Sequence, residues 1–196
     1  LLGADEEKML LIPHIRIARR VSGVLRERFQ VRLSPVVFAF GSIFPDLAKN
    51  AVTGYHDINE AVSRVEGFLA KRPKSRLVQS FRLGEICHYT ADSFCRVHIH
   101  HDQYTLKEHM LYEMRQSRQM KRQLPLAGKL AMEDVYPSRS GALERFFSEQ
   151  REFAAQKHSY EEETNAVVRG CVLVLHSLAH RPWEEARPVA LAQAGS

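Results

Sequence analysis

The stretch SRLVQSFRLGEICHYTADSFCRV, residues 75–97, decides the fold. Its apolar residues Leu77, Val78, Phe81, Leu83, Ile86, Cys87, Ala91, Phe94 and Cys95 describe a mostly buried α-helix. His88 and Asp92 interrupt that apolar surface four positions apart, so both side chains leave one helix face, one turn from each other. An imidazole and a carboxylate so placed are a donor pair that zinc takes. His109 and Glu113 repeat the spacing, with His98 between the two pairs. Taken singly, the first pair reads equally well as a core histidine satisfied by an acid, and the second as an exposed i,i+4 charge contact. Together they point to a metal-dependent enzyme. At about 100° per residue, Asp92 lies roughly 40° around the helix from His88 and His98 roughly 80° the other way. One ion cannot easily take all three from a straight helix. Either the helix ends near Arg96, or His98 serves a neighbouring ion with His109 and Glu113. A multi-metal cluster follows, since bridging carboxylates can hold ions close together and clamp both ends of a displacement at phosphorus.

Working outward, apolar residues recur at three- and four-residue spacing almost everywhere, and little alternates as a strand would. The expected fold is all-α: a single-domain helical bundle with a multi-zinc site among the core helices. Further helices are expected over residues 12–29, over 57–70 with Asp57 as cap and His56 at the entrance, and over 106–119, capped by Thr105 or the HDQY segment before it. Two more are expected over 141–157 and 159–180. Pro35 and the stretch 41–45 read as a turn or loop that presents Asp46. The domain is expected to span 1–180, with 181–196 as a fraying tail.

A chain of 196 residues, 44% hydrophobic and 26% charged, can bury one sizeable core. It has no run of about eighteen apolar residues, so no transmembrane helix is expected. The chain opens on Leu1 and is read as processed or trimmed at the front, and LLGADEEKMLLIPHI lacks the pattern of a secretory signal. Cys87, Cys95 and Cys171 form no C-x-x-C pair and read as buried free thiols. A net charge of +5 with pI near 9.2 suits anionic partners: phosphate esters, anionic lipid surfaces or nucleic acid. Arg16, Arg19 and Arg20, and Arg115, Arg118, Lys121 and Arg122, sit at helical spacing and read first as solvated faces.

The motifs H-Y-x-x-D-x-x-x-x-x-H at His88, Tyr89, Asp92 and His98, and H-x-x-Y-E at His109, Tyr112 and Glu113, follow Gly41-Ser-Ile-Phe-Pro45-Asp46, His56 and an early His14. In this order and spacing, residues 13–113 resemble the bacterial zinc-dependent phospholipase C family, which is related to the single-strand-specific zinc nucleases. The resemblance implies two or three zinc ions. It assigns Asp46, His56, His88 and Asp92 to a first zinc, Asp92 with His14 to a second, and His98, His109 and Glu113 to a third. In secreted members a terminal tryptophan completes the site of the early histidine; here Leu1 stands at the front, so that ion is the one in question. Asp46 is implied as a ligand, or as the base that orients the attacking water. Against this, Asp46 could be only a helix cap and His14 could face water.

The leading function is therefore zinc-dependent hydrolysis of a phosphate ester, with phospholipase C-like cleavage of a phosphodiester as its specific form. The substrate would be a phospholipid at a membrane surface. A nuclease using the same cluster is the rival, less supported because Trp183 is the one tryptophan and no arginine and aromatic interleaving flanks the ligands. A metal-binding module without turnover is the third reading. Tyr89 and Tyr112 are expected to pack beside the ligands, and Glu85 to orient a ligand imidazole. His100 and His101 stay ambiguous; His158, His176 and His180 read as structural. Free thiols and the lack of a visible signal favour the cytoplasm, whereas the resemblance to secreted enzymes points outward.

Overall fold

A computed structural model describes residues 4–48, 58–71, 73–124 and 139–179. Among them run eight helices and no strand: α1 (Ala4–Phe29), α2 (Pro35–Ala48), α3 (Ile58–Ala70), α4 (Arg76–Asp92), α5 (Arg96–Ile99), α6 (Leu106–Gln123), α7 (Arg139–Ala154) and α8 (Tyr160–Ala179). A 3₁₀ turn, His101–Gln103, links α5 to α6. The all-α reading holds.

The quoted stretch is the centre of the bundle. Every residue from 83 to 95 is buried, and α4 packs against α1, α2, α3 and α8. Around it the core gathers Ile17, Val21 and Leu25 of α1, Phe38 of α2, Val65 and Phe68 of α3, and Val167, Cys171, Val172 and Leu175 of α8. The thiols Cys87, Cys95 and Cys171 are buried and free, as expected. The Cys171 thiol donates to the Cys87 carbonyl at 3.5 Å across the α4/α8 contact.

Three differences from the sequence reading bear on the site, besides shifts of a few residues at the ends of α6 and α7. Residues 41–45 are not a loop: they lie inside α2, which Pro35 begins, where its missing N–H costs nothing. Gly41 and Gly84 are there for close approach of two helices. A Cβ on Gly41 would run into the Phe81 carbonyl, and one on Gly84 into the Phe38 carbonyl. Helix α1 starts at Ala4 rather than near residue 12 and carries Pro13 within it. The helix expected over 75–97 stops at Asp92; the Ser93 N–H bonds to the Tyr89 carbonyl at 3.1 Å and the Cys95 N–H to the Asp92 carbonyl at 2.9 Å, a tight turn before α5. His56, Asp57, His180, Trp183 and the tail 181–196 lie outside the described residues.

Thr105 is the cap of α6. Its hydroxyl oxygen accepts from the Glu108 N–H at 3.3 Å while its own N–H donates to the Glu108 carboxylate at 2.8 Å, a reciprocal capping box. Ser159 and Glu162 make the same exchange at the start of α8. Arg115, Arg118, Lys121 and Arg122 are exposed, as the solvated-face reading requires. Arg16 instead joins α1 to α6, its Nη1 donating to the Ser117 carbonyl at 2.6 Å and hydroxyl at 2.8 Å.

Candidate metal centre

Five helices bring seven of the eight singled-out residues together; the eighth, His56, is outside the described residues. His14 comes from α1, Asp46 from the last turn of α2, His88 and Asp92 from α4, His98 from α5, and His109 and Glu113 from α6. Helical spacing sets the two i,i+4 pairs: His88 Nε2 lies 3.2 Å from Asp92 Oδ2, and His109 Nε2 lies 2.7 Å from Glu113 Oε1. The break after Asp92 does the rest. It turns His98 back so that its Nε2 reaches 3.2 Å from Glu113 Oε1 and 3.8 Å from Asp92 Oδ1. The helix thus ends at Asp92, four residues before the end near Arg96 that the helical arithmetic offered, and His98 lies with His109 and Glu113.

Asp92 is the hinge of the cluster. Its Oδ1 is 3.4 Å from His14 Nε2, and its Oδ2 faces His88. Asp46 approaches the same two imidazoles, at 4.0 Å from His14 Nε2 and 3.5 Å from His88 Nε2. The His14 and His88 rings lie 4.1 Å apart between centroids. Two compact donor groups result, His14 with His88 and Asp92, and His98 with His109 and Glu113; within each, the ligand atoms lie within 4.8 Å of one another. Asp92 Oδ2 is buried and makes no hydrogen bond among the described residues. A buried carboxylate oxygen aimed at imidazole nitrogens and lacking a hydrogen bond is a donor arrangement that suits a cation. Imidazole nitrogens and carboxylate oxygens together are a zinc donor set, so these residues fit that metal.

The electrostatics agree. Burial, followed by the charges of Asp46, Glu113 and Cys87, pushes the Asp92 carboxyl well above the usual carboxylate range. Burial would push Glu113 up as well, but hydrogen bonds from His109 and His98 prevail and hold it down at about 2. Three acids in one largely buried space call for positive charge.

Supporting contacts fix the imidazoles. His88 Nδ1–H donates to the Ser42 carbonyl at 2.9 Å, which leaves the Nε2 lone pair facing the acids. Glu85 does not have the orienting role expected of it. It lies three residues before His88, on the side turned to α3, and its partners are Arg64 at 3.6 Å and Arg82 at 3.7 Å. Tyr89 is buried beside His88, with its hydroxyl accepting from Arg64 at 3.2 Å. Tyr112 donates to Glu163 at 2.5 Å, and Gln116 donates to the other Glu163 oxygen at 2.9 Å. That buried acid of α8 ties α6 in place directly behind His109 and Glu113. Sequence reading passed over it, although a glutamate one turn into an apolar helix was the available signal. A small cavity of about 20 Å³, room for roughly one water, lies beside Asp92, Cys95, His98 and Gln116.

The outlying histidines divide as expected where they can be followed. His158 stacks on Phe153 at 3.8 Å and donates to its carbonyl, and His176 lies against Phe29 at 4.3 Å. His100 is half-buried and His101 exposed, and neither belongs to the two donor groups.

No curated protein and no solved structure matches this sequence. A family model does: the one described as zinc dependent phospholipase C matches residues 13–180, from the proline before His14 through the end of α8. All seven converging residues lie in that span, and the match extends well past Glu113, where the motif resemblance stopped. The chain belongs to the zinc-dependent phospholipase C family.

Proposed function

We propose that the chain is a zinc-dependent hydrolase of phosphate esters that cleaves a phosphodiester, most specifically that of a phospholipid, in phospholipase C fashion. The observation that carries this reading is Asp92: one buried carboxylate set against His14, His88 and His98 at 3.4, 3.2 and 3.8 Å, a member of one donor group that also reaches a histidine of the other. His88, Asp92 and Asp46, with His56, would hold a first zinc, His14 with Asp92 a second, and His98, His109 and Glu113 a third. Zinc bound there would supply water of lowered pKa and positive charge to offset the negative charge developing on phosphoryl oxygens.

The chain's own residues divide that work by exposure. Asp92 is buried, and burial beside other acids holds its carboxyl above the usual carboxylate range, so cations bound there would compete with protons. Asp46 is a quarter exposed and stands at the edge of the cluster, where a carboxylate can accept a proton from an attacking water and aim it. The Ser42 carbonyl holds the His88 imidazole, and the Glu163 network holds α6, which carries His109 and Glu113, so that little rearrangement is needed on loading.

The test incubates the purified protein with a short-chain phospholipid, single-stranded DNA and a soluble chromogenic phosphodiester, each with and without chelator. Chelator-sensitive release of the phosphorylated head group is the expected result. Turnover confined to DNA would replace this reading with a nuclease. No chelator-sensitive turnover on any substrate would leave a metal-binding helical protein without catalysis. Elemental analysis should give two or three zinc ions per chain.

A further inference from the structure

Exposed apolar side chains are ordinary when scattered and informative when they gather. On α2, Val36, Phe40, Phe44 and Leu47 are 80, 48, 36 and 54% exposed. Their spacing of four, four and three residues makes one stripe, opposite the face of Phe38, Gly41, Ser42 and Pro45 that is buried against α4. The first turn of α4 adds Leu77 and Val78, 57 and 49% exposed. Phe81 joins the two helices: its ring is 5.9 Å from that of Phe40 and 5.1 Å from that of Phe44. The result is a continuous apolar surface with three aromatic rings, on the helix whose last turn carries Asp46.

Among the described residues, the exposed charge beside this surface is basic. Arg32, Lys74 and Arg76 are exposed along it, and Arg76 Nε donates to the Arg32 carbonyl at 3.0 Å, whereas Arg82 is paired with the buried Glu85. Over residues 31–48 and 73–84 the only acid is Asp46, which belongs to the metal cluster. A second copy of the chain is a poor match, because a two-fold contact through this face would set cations against cations. Apolar side chains that can enter the acyl boundary, rimmed by bases that meet phosphate, fit an anionic lipid surface.

We propose that the outer face of α2 and the first turn of α4 dock the protein on phospholipid bilayers carrying anionic head groups. The choice of occupant rests on the phospholipid reading of the metal centre, but the docking is measured separately from turnover. No helix of the described residues is long and apolar enough to cross a membrane, so contact is with the surface.

The experiment is co-sedimentation of the purified chain with vesicles of phosphatidylcholine alone and with added phosphatidylserine, alongside hydrolysis of a soluble phosphodiester. Wild type should bind the mixed vesicles more tightly than the neutral ones, and less tightly as salt rises. The triple variant Val36→Ser/Phe40→Ser/Leu77→Ser removes exposed side chains only. It should bind about tenfold or more weakly and keep its rate on the soluble substrate. Arg32→Glu/Lys74→Glu should abolish the preference for phosphatidylserine. Binding by wild type without any turnover would support the docking while removing the hydrolase reading. Failure of wild type to bind either vesicle, or equal binding by the triple variant, would overturn the docking. So would a concentration-dependent dimer in sedimentation equilibrium that the triple variant abolishes while wild type ignores vesicles.

Discussion

Asp92 meets opposite demands with one side chain: it is buried next to Asp46 and Glu113, yet three imidazoles turn toward it. Without metal, its raised pKa means that the native state favours the protonated acid, so its contribution to stability is present at low pH and is lost as pH rises through that raised value. Asp92→Asn, which keeps the shape and removes the charge, should therefore leave the metal-free protein as stable as wild type or about 1 kcal/mol more stable near neutral pH. The same variant should lose chelator-sensitive hydrolysis with its helical signal intact, as activity assays beside circular dichroism would show. Full activity in Asp92→Asn would remove the bridging role. Glu113 has the other sign. Its folded value of about 2 lies below the ordinary 4.5, so the stability it contributes is present above 4.5 and is lost as pH falls toward 2. Metal-free Glu113→Gln should be less stable than wild type near pH 6, by about 3 kcal/mol, and the gap should close by pH 2; urea midpoints across that range measure it. These residues were legible in the sequence because an i,i+4 pair is a local pattern. Glu85 misled because local spacing says nothing of what stands opposite; Arg64 comes from another helix.

At the scale of elements, the contact between α2 and α4 explains both a success and a failure of reading. The apolar period of residues 75–97 is strong enough to fix a buried helix without tertiary knowledge, and all of 83–95 is buried. Gly41 and Pro45 looked like breakers of α2, since glycine and proline weaken isolated helices. Their reason is tertiary: Gly41 meets the Phe81 carbonyl and Gly84 meets the Phe38 carbonyl, so the two helices touch backbone to backbone. Gly84→Ala would gain up to about 1 kcal/mol in helix propensity. It should nonetheless lose more than that, about 2 kcal/mol or more net, because no flexible side chain is there to yield. Thermal unfolding of Gly84→Ala, with Gly67→Ala on α3 as the control where nothing lies within 4 Å, gives the comparison. The control should be neutral or slightly stabilised. Since α2 carries Asp46 and α4 carries His88, Gly84→Ala should also weaken zinc retention, which Gly67→Ala should not.

For the whole molecule, the cluster loaded with metal would be a cross-link. Its described donors come from α1, α2, α4, α5 and α6, segments spread across a hundred residues, whereas the apolar core reaches these helices mainly through α4 and α8. Cations held there bind the folded chain and have no preformed site in the unfolded one, so their binding free energy adds to stability. At a free zinc concentration of one hundred dissociation constants the gain is about 2.7 kcal/mol per site, equivalent to roughly 5–10 °C in a domain of this size. The two donor groups have separate histidines, so their contributions should separate as well. His109→Ala should lower the zinc content by one equivalent and remove part of the thermal shift, leaving the part that depends on His14, His88 and Asp92. Asp92→Asn, in the first group with its Oδ1 3.8 Å from His98 of the second, should remove most of the shift at once. Scanning calorimetry of the three proteins with zinc and with chelator distinguishes the cases: an equal thermal shift in wild type and Asp92→Asn would mean that the cations stabilise some other part of the chain.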